Sequence, residues 1–394
     1  MSTSDSTLRV AAVQQAPAFL DRARSAERAG ALVREAGSQG AQLIAFGEGV
    51  IPGHPIWLHL LPVTAPRSIE LATALTLNAV TIPGPETDAL SQAAREAGAM
   101  VIIGVVERSS PGSSVLFMAQ LVYGADGELI GVRRKLVPAV GERVLLAPGA
   151  GDAIRTFDSQ WGPLSALLGG ENANPLLTWT MRELGARIHV AAWPPHFNKA
   201  GVMGEVMTIT GRAIAYQNSA YVIAVRTASS PEAREAIAAS AEERKFLTAI
   251  AAEPGSVVFA PRGAVAAGPL EEEEGILYAD LDLNQGTWAS LVNRHYDRPD
   301  LFRVHVDRRG RDDPLSFSST AAIGVQSSTG ETAPARARWL IEARFGDSLP
   351  PDDIDRLVPY VTGSLDAAAR LEDLALSDVD PRRIVFAQDP RIST

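Results

Sequence analysis

Short apolar runs alternate with longer amphipathic stretches along most of this chain, and the alternation predicts an α/β protein. Leu8-Arg9-Val10-Ala11-Ala12-Val13-Gln14 is almost continuously apolar, as a strand covered on both faces should be. Ala23, Ala26, Ala29, Leu32, Val33 and Ala36 then recur at helical spacing up to Gly37, and Leu43-Ile44-Ala45-Phe46 gives a second strand. Strand, helix, strand in this order predicts a parallel pair joined by a right-handed crossover. Between Ser68 and Gly98, two helical patterns are split by Pro83-Gly84-Pro85, and Met100 to Val106 returns to strand. Leu116 to Tyr123 and Leu129 to Lys135 flank Gly124-Ala125-Asp126-Gly127, which is turn chemistry for a hairpin.

The second half repeats the alternation. Leu164 to Leu168 is a strand that stops at Gly169-Gly170, and Asn174-Pro175 fits the cap and first position of a helix running to about Leu184. Strands follow at Ile188 to Trp193 and Tyr221 to Val225, with a helix at Glu205 to Ser219 between them. Ser256 to Phe259 and Ala264 to Ala266 form a hairpin around Pro261-Arg262-Gly263, Glu271 to Glu274 is a solvated loop, and Ile276 to Leu283 closes the sheets. From Asp307 the pattern changes. Charge, Ser and Pro dominate to about Arg336, after which Ala337 to Phe345 and Ile354 to Leu374 are helical; Ser316 to Thr332 also fits a disordered segment.

Composition narrows the function. At 394 residues with 46% hydrophobic content, the chain can fill one large α/β domain carrying a tail. A net charge of −10 argues against nucleic acid, which favours a basic surface. Cysteine is absent, which excludes disulfides, thiolate metal sites and a thiol nucleophile. The polar start and the lack of a membrane-length apolar run predict a soluble, cytoplasmic protein. Neither a phosphate-binding Gly-Lys-Ser/Thr loop nor a His-Glu-x-x-His motif is present, so no cofactor or metal is expected.

In open α/β architectures, sites collect at the carboxyl ends of strands. Glu48 is predicted at such an end, between Gly47 and Gly49 and ahead of Pro52-Gly53-His54-Pro55. Arg133-Arg134-Lys135 leaves the hairpin, with Gly141-Glu142-Arg143 a few residues on. On the residues alone, an exposed loop acid at 48 or 142 and a solvated cation at 135 stand as well as a site does.

These stretches resemble the nitrilase (carbon–nitrogen hydrolase) family. Phe46-Gly47-Glu48 is similar to its Phe-Pro-Glu, with the glutamate as general base, and Pro52-Gly53-His54-Pro55 to its Pro-Gly-Tyr-Pro loop. Arg134-Lys135-Leu136-Val137-Pro138-Ala139 resembles Arg-Lys-Leu-x-Pro-Thr, whose lysine stabilises the tetrahedral intermediate. Glu142-Arg143 matches the pair carrying a second site acid. Gly169-Gly170-Glu171-Asn172 resembles Cys-Gly-Glu-Asn, with Gly169 where the family has its nucleophilic cysteine. Trp193-Pro194-Pro195 and His295-Tyr296-Asp297-Arg298-Pro299-Asp300 also match nitrilase motifs.

The resemblance covers about residues 8 to 306 and implies a four-layer α-β-β-α sandwich over 1–306. It also implies a C-terminal extension, 307–394, serving homo-oligomerisation as a dimer or larger assembly, up to a filament. The implied substrate is a small nitrile or amide. Glu48, Lys135, Glu142 and position 169 form the catalytic set, with Glu171, Asn172, His54, Trp57, Trp193 and His196 as substrate-binding candidates.

Gly169 has no side chain with which to form a thioimidate or acyl-enzyme. Ser165 lies four strand residues back, roughly 13 Å away, and does not replace it. Three functions follow: a nitrilase scaffold that binds substrate without its nucleophile, an enzyme using Glu48, Lys135 and Glu142 without a covalent intermediate, or a non-catalytic binding or assembly protein.

Overall fold

The computed structural model describes residues 7–197, 203–253 and 255–293, a helix at Pro351–Glu372 and a few isolated positions between them. The chain divides into two compact units, Met1–Arg311 and Asp312–Thr394. The motif at His295 to Asp300 and most of the stretch expected as a helix at Ala337 to Phe345 lie outside the described residues.

The first unit is built on two sheets. One contains β1 (Thr7–Gln14), β2 (Leu43–Phe46), β3 (Val80–Thr81), β4 (Met100–Arg108), β5 (Leu116–Tyr123), β6 (Leu129–Arg134) and β12 (Gly275–Asp282). Its order is β12-β1-β2-β4-β5-β6, with β3 beside β4. The β1, β2 and β4 strands are parallel, as the strand–helix–strand pattern required, whereas β12, β5 and β6 are antiparallel to their neighbours. The other sheet, in order β11-β10-β9-β8-β7, comprises β7 (Leu164–Leu168), β8 (Ile188–Trp193), β9 (Tyr221–Arg226), β10 (Val257–Phe259) and β11 (Val265–Ala267).

Strand alternation sorts the apolar residues into layers. Val10, Ala12, Leu43, Ala45 and Ile102 from the first sheet meet Ala166, Leu168, Val190, Ala192, Ile223 and Val225 from the second in one core. The opposite face of the first sheet, including Ala11, Ile44, Val101 and Ile103, is covered by α1 (Arg22–Ser38) and α3 (Pro85–Ala97). Ala191, Trp193, Val222 and Ala224 instead pack against Met207 and Ile214 of α5 (Met203–Asn218), and Leu167 packs on α4 (Pro175–Glu183). The result is the expected α-β-β-α sandwich. In α1 the residues Ala26, Ala29, Val33 and Ala36 face inward, Ala23 is exposed, and Asp21 caps the helix by accepting from the Arg24 N–H.

Several elements were not evident in the pattern: the two-residue β3, α6 (Pro231–Ile237), α7 (Ala241–Ala251) and α8 (Asn284–Asn293). The α2 helix spans Pro66–Asn78, and the C-terminal helix, α9, is Pro351–Glu372. Glu271 to Glu274 does form a loop, but not a freely solvated one. The carbonyls of Glu272 and Glu273 accept from Gln14, Glu274 accepts from the Ala16 N–H, and Glu273 pairs with Arg234. Among the described residues, no helix is long and apolar enough to cross a membrane.

Candidate active site

The carboxyl ends of β2 and β7 meet between the sheets, with Lys135 just beyond β6. The turn after β2 is held by backbone contacts: the Glu48 N–H and the Thr227 N–H both donate to the Trp193 carbonyl, and the Thr227 hydroxyl donates to the Glu48 carbonyl. Glycine at 47 is a packing requirement, because a Cβ there would stand 2.3 Å from the Thr227 nitrogen and hydroxyl.

The side chains form a compact, buried set. Lys135 Nζ donates to Glu48 Oε1 at 2.6 Å and to Glu142 Oε2 at 2.8 Å. His54 Nε2 lies 3.0 Å from Glu142 Oε1 and 3.6 Å from Glu48 Oε1. The Ala139 N–H adds a third donor to Glu142. Burial opposes ionisation of Glu142, but His54 and Lys135 outweigh it and hold its carboxyl far below the usual range. Burial likewise opposes the Lys135 charge, and the two glutamates overcome it, pushing its pKa above the ordinary lysine value. His54 follows the same pattern: burial lowers its pKa, Glu142 and Glu48 raise it, and the net direction is up. Nearby His59, stacked on Phe197 at 4.3 Å, is instead pushed down to about 4 by burial and by the His54 and Lys135 charges.

One atom of the set stands apart. Glu48 is fully buried, yet its Oε2 accepts no hydrogen bond. That oxygen points at residue 169: a Cβ on Gly169 would lie 2.6 Å from Glu48 Oε2 and 3.5 Å from Lys135 Nζ. Gly169 also has φ +47°, the left-handed region that favours glycine. The base carboxylate thus reaches into space that a side chain at 169 would need.

Glu48, His54 and Glu142 are close enough together to bind a metal ion. The cation seat between the carboxylates is already filled by the Lys135 ammonium, and a divalent ion there would face it at repulsive range. The donor set therefore does not fit a resident metal.

Glu171 and Asn172, expected against substrate, are engaged by protein groups. Arg133 forks onto both Glu171 oxygens at 2.8 and 3.1 Å, and the Leu136 and Leu168 N–H groups also donate to that carboxylate. Asn172 Nδ2 donates to the Gly169 carbonyl at 2.8 Å, and its Oδ1 accepts from His189 Nε2, whose Nδ1 accepts from the Ser165 hydroxyl. Burial and the Arg133 charge push His189 down to about 3, so it is neutral and this orientation of donors is fixed. The Ser165–His189–Asn172 chain has the connectivity of a nucleophile–base–orienter triad. It is buried throughout, however, and Ser165 is in the middle of β7, so its action is to hold the Gly169 turn. The sequence reading gave no role to Arg133 or His189; the signal was strand alternation, which puts Arg133 and Lys135 on one face and Arg134 on the other.

The wall candidates also lie inside the protein. Trp57 belongs to the inter-sheet core, edge-on to Phe19, and Trp193 packs beneath α5. His196 contacts the buried Arg226 at 3.3 Å and is pushed down to about 3 by burial and that guanidinium.

A buried carboxylate–ammonium–carboxylate set between the facing sheets of an α-β-β-α sandwich defines an α/β enzyme scaffold of the nitrilase-superfamily fold. Solved structures share that fold: Nit3 of Saccharomyces cerevisiae (TM-score 0.59, 19% identity, covering 75% of this chain and 97% of that one) and a carbon–nitrogen hydrolase of Helicobacter pylori (TM-score 0.58, 17% identity, 75% and 97%). The sequence match is closer to nitrilases. Nitrilase 2 from an unknown prokaryotic organism is 37% identical over 304 residues (76% of this chain, 92% of the relative), and the aliphatic nitrilase of Rhodococcus rhodochrous is 34% identical over 319 (77% and 83%). The carbon–nitrogen hydrolase family model matches residues 9–288, and the chain belongs to that family. Its scaffold is that of a nitrile or amide hydrolase.

Proposed function

We propose that this chain acts on nitriles or amides without a covalent intermediate, with a water held by Glu48 in place of the family's thiol. The observation carrying this reading is the orphaned Glu48 Oε2 beside Gly169. A buried carboxylate oxygen without a donor costs on the order of 1–3 kcal/mol, and a water or substrate hydrogen supplies the missing donor. The water oxygen bonds to the substrate carbon as its proton passes to Glu48 Oε2. Negative charge arising on the nitrile nitrogen or amide oxygen is met by Lys135 Nζ, and Glu48 returns the proton to nitrogen. A nitrile thereby becomes an imidic acid, whose hydroxyl proton moves to nitrogen to give the amide. With an amide, the returned proton makes the nitrogen a leaving group, the oxyanion re-forms the carbonyl as the C–N bond breaks, and acid and ammonia are released.

The test compares the unaltered chain, Glu48→Gln and Gly169→Cys on a panel of aliphatic and aromatic nitriles and amides, following amide, acid and ammonia. Turnover by the unaltered chain that falls about a hundredfold or more in Glu48→Gln is expected. Turnover by Gly169→Cys alone sinks the water mechanism and leaves a second reading, a site that binds without reacting. That reading is favoured by Lys135 Nζ being held by both carboxylates in the substrate-free site. Calorimetric binding of the same panel separates it from a non-catalytic assembly protein, which binds none of them.

Self-association is part of the proposal. Ile209 and Tyr216 on α5, with Trp288 and Leu291 on α8, are large exposed apolar side chains on helices joined by an Asn293–Tyr216 hydrogen bond. A monomer by light scattering at micromolar concentration would exclude it.

A further inference from the structure

We propose that His54 is the second cation of this site, carried as an imidazolium that offsets the second carboxylate and leaves the Lys135 charge available to the reacting group. For its catalytic meaning the proposal rests on the function given above; its test does not.

The argument begins with the charges that face one another. Glu48 follows β2, Glu142 lies on the short helical turn Glu142–Val144, Lys135 follows β6, and His54 and His59 come from the loop between β2 and α2. Without a charge at 54, two carboxylates share one ammonium, so the buried set holds a net charge of −1 before any substrate arrives. A nitrile or amide under attack gathers a further negative charge, and a site already negative opposes it. At the effective dielectric of a protein, one unit charge at roughly 7 Å changes such an equilibrium more than tenfold. An imidazolium at 54 makes the set neutral.

The geometry favours His54 over His59 for this task. His54 Nε2 donates to Glu142 Oε1 at 3.0 Å with Glu48 Oε1 3.6 Å away, so each carboxylate stabilises a positive ring. His59 has Phe197 against its face and no carboxylate within ion-pair distance among the described residues, and its depressed pKa keeps it neutral. Glu142, with three donors on it, stays ionised and acts as the anchor of both cations. His54 Nδ1 is buried with no protein partner, so the proton it carries in the charged ring is left for water or a bound ligand.

His54 acts through Lys135 and Glu142 and is therefore a positioning residue. The sign is definite: its raised pKa means the imidazolium survives to higher pH than a free ring would and is lost as pH rises through the folded value.

The chain contains no cysteine, so the thiol introduced by Gly169→Cys is the sole thiol and its ionisation reports the local charge. Its alkylation by iodoacetamide is measured across pH, alone and combined with His54→Gln or His54→Tyr. Both neutral replacements should move the midpoint up by about one pH unit, since a nearby positive charge favours thiolate. A midpoint that stays within about 0.3 pH unit in both variants overturns the proposal. Should Gly169→Cys fail to fold, the unaltered chain labelled with ¹⁵N-histidine gives the answer directly. Six histidines are present, and the resonances lost in His54→Gln identify the ring. Both ring nitrogens protonated at pH 7 is the expected state; a neutral ring at that pH refutes it. Neither readout requires turnover, so the charge assignment and the water mechanism stand or fall separately.

Discussion

Gly169→Ala adds one methyl group at the point where the site is most crowded, and its cost follows from the local geometry. The left-handed φ of +47° is unfavourable for alanine by about 1–2 kcal/mol relative to a right-handed conformation. The new Cβ would lie 2.6 Å from Glu48 Oε2, whereas ordinary contact begins at 3.4 Å, so the carboxylate must turn away. It cannot turn freely, because Glu48 Oε1 is held at 2.6 Å by Lys135, and distorting that charged hydrogen bond forfeits roughly 1 kcal/mol of its worth. The sum is a loss of about 2–3 kcal/mol in unfolding free energy. Gly170→Ala is the control one residue away: nothing lies within 4 Å of its Cβ and its φ is not left-handed. That variant should stay within about 0.5 kcal/mol of the parent. Guanidinium unfolding of the three proteins gives the comparison, and a crystal structure of Gly169→Ala locates the carboxylate. Equal stabilities for the two alanine variants, or an unmoved Glu48 beside the new methyl, would refute the inference that Glu48 occupies the space at 169.

Two further outcomes follow from the buried polar groups. Glu171→Gln keeps the shape and an acceptor oxygen for the backbone but leaves the Arg133 guanidinium buried without its counter-charge, and should cost about 3–5 kcal/mol; combining it with Arg133→Met should recover much of that, and a double-mutant cycle of these two substitutions without coupling would deny the fork its energetic role. His189 and His196 are held neutral down to about pH 3, while in the unfolded chain they protonate near 6.5. Their contribution is thus present above 6.5 and lost as pH falls towards 3, by about 1.4 kcal/mol per pH unit for each. His54, with a raised pKa, has the opposite slope: its contribution is full below 6.5 and is lost as pH rises through its folded value. Unfolding free energies from pH 6 to 4 should therefore lose about one proton of slope in His189→Gln, and an unchanged slope would show that ring to be protonated in the fold.

Much of the first unit was legible because its signals are local. Leu43 to Phe46 and Leu164 to Leu168 are short, mostly apolar runs ended by glycine, and Asn174-Pro175 announces a helix whose cap indeed accepts from the Leu176 and Leu177 N–H groups. What sequence could not supply was register. Ser165 meets His189 only because β7 and β8 pair with those residues opposite one another, and Arg133 finds Glu171 across 38 positions. The wall candidates are ambiguous for a related reason: an aromatic near a motif is as good a core residue as a pocket one, and Trp57 has no exposed surface. Helices α6 and α7 were missed although their starts bear serine caps, at Ser230 and Ser240; at seven and eleven residues they offer few turns over which a period can be read.

Four departures from the family pattern fall near the site: Gly47 for proline, His54 for tyrosine, Ala139 for threonine and Gly169 for cysteine. Each of the four lies beside Glu48 or Glu142. Gly47 admits Thr227, whose hydroxyl clamps the Glu48 carbonyl; His54 contacts both acids; the Ala139 N–H binds Glu142; and Gly169 makes room for Glu48 Oε2. Simple loss of a thiol would leave a void at 169 and Glu48 without cause to approach it. Here the void is taken by the carboxylate itself, and the residues around that carboxylate hold it there. Restoring cysteine alone therefore meets a base displaced into its path, and recovery of thiol chemistry should require Glu48 to be released as well, by altering His54 or Gly47 in the same chain.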